Sequence, residues 1–556
     1  MASLKDNRKN SKTFDKKVIA AAKKGTSFFV YVERVVDGCK VQVFDLVTCG
    51  IIAKSLYTAS EIVNIATALP ELDKCKVVLF NIFSETSPQD FFSIAKKLKI
   101  AFDAKKIATH FGSREWWYFA SKVSIMHESL EIGDRVIVAK INPGLTLSQF
   151  MLDKKGLSFV GFHEVLRKNH ELDNLDAFDD DLLAMNGHVP KLVTLWSQNL
   201  GDDRMEDNLQ RLKKMFKEKF KTTKVTDCDG LLSLPKFLRK VCKNVLGGAD
   251  DDKMHWLQLF SARQVHISAT KGVFTICGQI IDYYYLLPFI KTVTLSRLCV
   301  NVKVQSRYGN RIQGSSDIIK NIPFQSACHR LRVIVSINEN NVITVKHEKE
   351  MIKSIVDLPR YLTEFADINI GDPIVAFFDT SSTILIAKED HDEQKCVYHF
   401  MDEWNGVFGR DLLIAFNKEK PTFFEEAFTT FKKKPSFVVH DLLQLMSYNY
   451  EEVDENDSRW SFKAIQDKEH GLLIECDHFG GCRQVQTPEY HFAMLMKEHV
   501  KAIKKHLKAN KKNGNTKRLG FLIVDKYTPE KLVRIRDKIA KACTLLNIVC
   551  YFVEIE

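Results

Sequence analysis

Two stretches near opposite ends of the chain follow one pattern. Residues 76–100 read KVVLFNIFSETSPQDFFSIAKKLKI, and residues 518–548 read RLGFLIVDKYTPEKLVRIRDKIAKACTLLNI. Each is an apolar strand, a short turn, a [Ser/Thr]-Pro-[Gln/Glu] triplet and an amphipathic helix. The junction has a physical reason. The hydroxyl of Ser87 or Thr528 can cap the helix, and Pro88 or Pro529 suits the first helical position, where a missing N–H is harmless. In the second copy Leu532, Ile535, Ile539, Cys543 and Leu546 recur at helical spacing and give one buried face. A strand feeding a helix in this way predicts α/β units around a largely buried sheet. The recurrence predicts more than one such unit.

A chain of 556 residues has room for roughly three to four domains. It breaks at LGGADDDK (246–253) and again near DINIGDP (367–373). Residues 1–25 read as a basic flexible tail, 26–250 as an α/β domain, and 370–556 as a second one. The stretch between differs. HRLRVIVSINENNVITVKHEKE (329–350) alternates Leu331, Val333, Val335 and Ile337 on one face, turns at residues 338–341, and returns through Ile343 and Val345. That is a β-hairpin signal. With VTLSRLCVNVKVQ (293–305) it predicts an all-β module over 255–350.

Hydrophobic residues make up 45% and charged residues 27%, enough apolar mass for real cores. The net charge of +11 is a mild excess on this length and reads as solvated surface. Thirteen scattered cysteines with no C-x-x-C predict reduced, buried thiols. CDHFGGC (476–482) offers at most Cys476, His478 and Cys482. That falls short of a four-ligand site, so a Gly-Gly hairpin turn is expected and no metal. The first residues lack a signal-peptide core, and no apolar run reaches about 18 residues. The expectation is no membrane partner and a cytoplasmic location, with the nucleus as the alternative. KKHLKANKKNGNTKR (504–518) is the strongest basic cluster. No aromatic residue interleaves it for base stacking, and a Lys-rich helix end explains it. DYYYLLPF (282–289) would line a peptide cleft or, the favoured reading, belong to core.

GDPIVAFFDTSST (371–383) runs from an apolar strand into Asp379, Thr380, Ser381, Ser382 and Thr383. After it come FVVHDLLQLMSYNYEE, RWSFKAIQDKEHGLLIEC, TPEYHFAMLMKEHVKAIKKHLK and the second copy of the repeat. In that order the segments resemble the first lobe of the ATPase domain of the 70-kDa heat-shock chaperones, within the actin/hexokinase-like superfamily. The N-terminal region is similar to a reduced version of the same domain. There GDRVIVAKINPGLTLSQFML (133–152) resembles the family's second phosphate hairpin, and KLVTLWSQNLGDDRMEDNLQRLKKMF (191–216) resembles the elements near the nucleoside. NIPFQSACHRLRVIVSINENNVITVK resembles the last hairpin of the family's peptide-holding sandwich.

The resemblance implies α/β actin-like, ribonuclease-H-like ATPase-type units, reduced over 26–250 and truncated over 370–556. Between them it implies an all-β peptide-binding-like sandwich over 255–350. It also implies ATP with Mg as ligand, held by Asp379, Thr380, Ser381, Ser382 and Thr383, and a catalytic carboxylate at Glu554. Several positions depart from the family. Ser381 stands where it has Gly, which a close backbone approach to phosphate would need. Leu443 takes the place of its catalytic Lys. Lys140 replaces an Asp, Pro143 removes an amide donor, and Trp196 would crowd a base. EEVD (451–454), a chain-end motif in that family, is internal here. The resemblance thus implies a degenerate member that binds proteins, either chaperones or unfolded clients. ATP binding would be weak or lost, without enzymatic turnover. The alternatives are an active ATP-dependent folding chaperone and a nucleic-acid-binding protein acting through 504–518.

Overall fold

The computed structural model describes residues 2–35, 38–83, 90–123, 130–142, 144–154, 156–164, 189–197, 203–227, 234–247, 257–259, 261, 263–271, 274–281, 285–308, 317–323, 327–364, 371–390, 395–452, 460–467, 469, 471–510 and 517–554. The chain is mixed α/β with a β-rich middle.

Three sheets share one five-strand order, and the third carries a sixth short strand, Arg410–Asp411, on Ser381–Asp390. In the first, Phe28–Val35 pairs antiparallel with Gly38–Asp45, which pairs antiparallel with Ile51–Tyr57. On its other side Phe28–Val35 runs parallel to Cys75–Phe83, and that strand runs parallel to Ala108–Ser113. The second sheet repeats this with Arg135–Asn142, Gly144–Asp153, Gly156–Glu164, Leu192–Ser197 and Lys224–Asp227. The third repeats it with Ile374–Phe378, Ser381–Asp390, Lys395–Phe400, Arg518–Ile523 and Val549–Phe552. In each, a helix links the fourth strand to the fifth: Asp90–Ala104, Asp203–Lys219 and Pro529–Leu545. A helical crossover is what a parallel pair requires, since a tight turn cannot join parallel strands.

The expected cap is present in the last of these helices. Thr528 accepts a hydrogen bond from the Lys531 N–H, and Pro529 opens the helix. Ile535, Ile539 and Cys543 are buried, with Leu546 packed against the same core. Ser87 and Pro88 lie outside the described residues.

The first two sheets face each other across one apolar core. Phe29, Tyr31, Val77 and Leu79 meet Val136, Val138, Phe150 and Leu192, with Trp116, Trp117, Phe237 and Leu238 between them. Gly112 is needed there, because a Cβ would stand 2.7 Å from both indole rings. The third sheet shares its core with two small three-stranded sheets, through Ile414, Val439, Ala464 and Ile474. Val375 and Phe377 face the helices Pro488–Ala509 and Pro529–Leu545. On the other face Ile374, Ala376 and Phe378 are covered by Ile355, Leu358 and Leu362, from the short helices Lys353–Val356 and Leu358–Glu364.

The β-rich middle is two sheets around a shared core. One has four strands, in the order Phe274–Ile281, Arg263–Lys271, Val300–Tyr308, Asp317–Ile322. The other has three, Phe289–Ser296, Arg330–Ile337, Ile343–Glu350. Leu331, Val333, Val335 and Ile337 point into the core as their alternation predicts.

One expectation needs correction. Residues 1–25 are not a loose tail: Ala2–Lys23 is a helix, with Phe14, Val18 and Ala22 buried. Their i, i+4, i+8 spacing is a helix face, masked in the sequence by the surrounding lysines. The Phe14 ring meets Tyr57 edge-on at 6.3 Å.

Candidate functional site

Ile374–Phe378 is buried along its whole length and ends in a two-residue turn, since Phe378 pairs directly with Ser381. Asp379 takes the left-handed conformation there, with φ +47°. Asp and Asn tolerate this better than other residues with a Cβ. The turn sits at the carboxyl end of the central strand, where ligand sites of open α/β sheets form.

Here that end is capped by the sandwich. Arg330 holds the Asp379 carboxylate with both arms of its guanidinium, Nε to Oδ2 at 2.7 Å and Nη2 to Oδ1 at 2.5 Å. The same Nη2 lies 3.6 Å from Asp525. Arg330 opens its strand, and its partner across the sheet, Ser296, closes another. The next residue, Arg297, is almost fully buried. It donates to Asp411 Oδ1 at 2.6 Å, to the Gly409 carbonyl at 3.3 Å and to the Phe408 carbonyl. Lys271, at the end of Arg263–Lys271, places Nζ 2.6 Å from Asp441 Oδ2. Three cations at one end of the sandwich therefore meet four carboxylates of the third unit. His329 Nε2 lies 2.7 Å from the Val407 carbonyl, and Leu298 is buried among Leu413, Ala415, Ala427, Phe431 and Val438.

The electrostatics follow from this packing. Burial, and next the Asp379 charge, push Asp525 up to about 6. The Asp379 N–H and Arg330 oppose that rise. The hydrogen bonds it donates to Asp379 raise Arg330 above its ordinary value. Burial alone would raise Asp441, but His440 and Lys271 outweigh it and hold the carboxyl well below the usual range.

The residues expected to hold a nucleotide have these places. The Asp379 carboxylate is engaged by Arg330. The Thr380 carbonyl accepts from the Leu412 N–H at 2.7 Å, and its Oγ1 is buried without a partner among the described residues. Ser381, Ser382 and Thr383 are buried and turned inward. Ser381 Oγ donates to Asp411 at 2.9 Å, Ser382 Oγ lies 2.8 Å from His499 Nε2, and Thr383 Oγ1 donates to the Gly406 carbonyl at 2.7 Å. His499 is pushed down to about 3 by burial, so it serves Ser382 as a neutral ring. Glu554 is exposed and pairs with Arg536 at 3.0 Å. It follows the fifth strand, two strands from Asp379 across the sheet, roughly 10 Å at the usual strand spacing. Its carboxylate is turned to Arg536 of the preceding helix. Leu443 is buried in the apolar core of the unit.

Asp525 is the site residue that sequence reasoning passed over. Its signal was present: an acid at the carboxyl end of LGFLIV, the strand parallel to and beside the first. What hid it was not knowing that the two strands are neighbours.

The side chains of residues 140–145, 196 and 197, and residue 143 altogether, lie outside the described residues. So do residues 282–284, 453–459 and 511–516. CDHFGGC forms the expected hairpin, with Gly480 and Gly481 at positive φ and Asp477 paired to Arg483. Among the described residues no group of three or more His, Cys, Asp or Glu is placed to hold a metal ion. Among them, too, no helix is long and apolar enough to cross a membrane.

Compared with known proteins, the chain matches no family model and no curated sequence.

Proposed function

We propose that this chain is a degenerate relative of the 70-kDa heat-shock chaperones that acts by binding proteins, with weak or no ATP binding and no turnover. Three sheets of one strand order, two packed face to face and the third sharing its core with two small sheets instead, fit a two-lobed actin-like, ribonuclease-H-like unit followed by a single further lobe. The two-sheet β module between them fits a peptide-holding sandwich. The observation that carries the reading is the state of the Asp379 turn. Its carboxylate is neutralised by Arg330, and the hydroxyls of Ser381, Ser382 and Thr383 are spent inside the protein. Phosphoryl transfer needs the opposite: open backbone amides, a free carboxylate for metal, and a group orienting water.

An active chaperone whose third unit borrows a second lobe is less favoured. The face of the third sheet away from its two long helices is already packed against Ile355, Leu358 and Leu362 of the chain's own connector, where a borrowed lobe would have to compete. The test is ATP hydrolysis and Mg–ATP affinity of purified protein. The expected result is no turnover above background. Clear turnover abolished by Asp379→Ala would overturn the reading.

A further inference from the structure

Asp379 and Asp525 share one guanidinium nitrogen, Arg330 Nη2, at 2.5 and 3.6 Å, and the Asp379 charge raises Asp525. Two like charges in a partly buried place need a counter-cation. Here the cation is not a ligand. It is Arg330, delivered from the sandwich and fixed by a two-armed contact, the geometry that best matches guanidinium to carboxylate. Arg297 and Lys271 hold the same end of the sandwich down on either side. Beside the pair, Thr380 Oγ1 is buried with no hydrogen-bond partner among the described residues.

We propose that the sandwich is a built-in plug of the Asp379 turn. The contact is autoinhibitory: a ligand can reach Asp379, Asp525 and Thr380 only when the sandwich end lifts and withdraws Arg330. This rests on the functional reading above and refines it, because it assigns the weakness of nucleotide binding to an intramolecular competitor as well as to lost residues.

The junction contains its own reporter. Cys328, two residues before Arg330, is fully buried, and burial raises its thiol. It faces Arg297 and Lys349, and Asp411 of the third unit. Maleimide labelling of the full chain, read cysteine by cysteine by mass spectrometry, follows its exposure. Cys476 and Cys543, buried in the core of the third unit, control for unfolding.

Arg330→Gln is expected to speed Cys328 labelling by about tenfold or more while Cys476 and Cys543 stay protected, the pattern of local opening. Arg330→Lys, which keeps the charge but loses the fork, should fall between. In the same preparations Mg–ATP should bind Arg330→Gln about tenfold more tightly than wild type, because the competing closed state is depopulated. Unchanged Cys328 labelling in Arg330→Gln overturns the proposal. So does faster labelling with no gain in Mg–ATP affinity, which would make the contact a clamp with nothing to inhibit. If Arg330→Gln unfolds, the Arg330→Lys comparison decides by the same criteria. Failure here is distinct from failure of the functional reading, which is decided by turnover in the wild type.

Discussion

Replacing Asp525 with Asn should stabilise the protein at neutral pH, although it deletes a charge next to an arginine. Asp525 rises from an ordinary 3.8 to about 6, first by burial and then by the charge of Asp379. At ~1.4 kcal/mol for each tenfold change in proton affinity, ionising it in the folded state costs roughly 3 kcal/mol. The sign follows from linkage. Above about pH 6 the carboxyl is charged in both folded and unfolded chains, and the penalty is complete. Between about 6 and 3.8 the folded chain holds a proton that the unfolded chain does not, so the penalty shrinks as pH falls. Below 3.8 it is gone. Asn keeps an oxygen for the Asp379 N–H and carries no charge. Its attraction to Arg330 is lost, but that attraction was already outweighed. The variant should gain about 2–3 kcal/mol at pH 8 and close to nothing at pH 4. Equilibrium urea unfolding followed by tryptophan fluorescence would measure this, since Trp404 and Trp460 are buried in the same unit. The comparison must be variant against wild type at each pH, because Asp441, held low by His440 and Lys271, contributes with opposite sign. A variant less stable than wild type at pH 8, or a difference that does not change between pH 8 and 5, would refute the reasoning.

Other outcomes follow from single contacts. Arg297→Ala takes the only cation from Asp411 among the described residues, leaving it Ser381 alone, and a donor from two carbonyls, and should destabilise by about 3–5 kcal/mol, read as a lowered urea midpoint. Gly112→Ala drives a methyl against Trp116 and Trp117 and should cost about 1–3 kcal/mol by overpacking, with an altered near-ultraviolet dichroism of those rings. Phe14→Ala empties a buried site in the first core and should cost about 3–5 kcal/mol; a change of under 0.5 kcal/mol would return residues 1–25 to the status of a tail. Thr528→Ala removes the cap on Pro529–Leu545 and should cost about 1 kcal/mol, seen as faster amide exchange in its first turn.

The primary sequence by itself determined the local elements. Thr528-Pro529 marked a helix start because capping and the fixed φ of proline act within a few residues. The hairpin 330–350 was legible because a period of two needs only neighbouring residues. Ile374–Phe378 was visible as a strand because a continuous apolar run suits a sheet covered on both sides. The tertiary structure alone decided what those elements meet. Arg330 and Asp379 are 49 positions apart, and nothing in their local patterns links them. Asp525 became part of the site only when the fourth strand settled beside the first. Glu554 follows the fifth strand, and only folding pairs it with Arg536. The helix Ala2–Lys23 shows the same limit, since its sparse apolar stripe acquires meaning only when Tyr57 and the first core lie beneath it. Hydrogen-bond periodicity and capping are short-range and can be read along the chain. Charge pairing and desolvation depend on distance in space, and folding sets that distance.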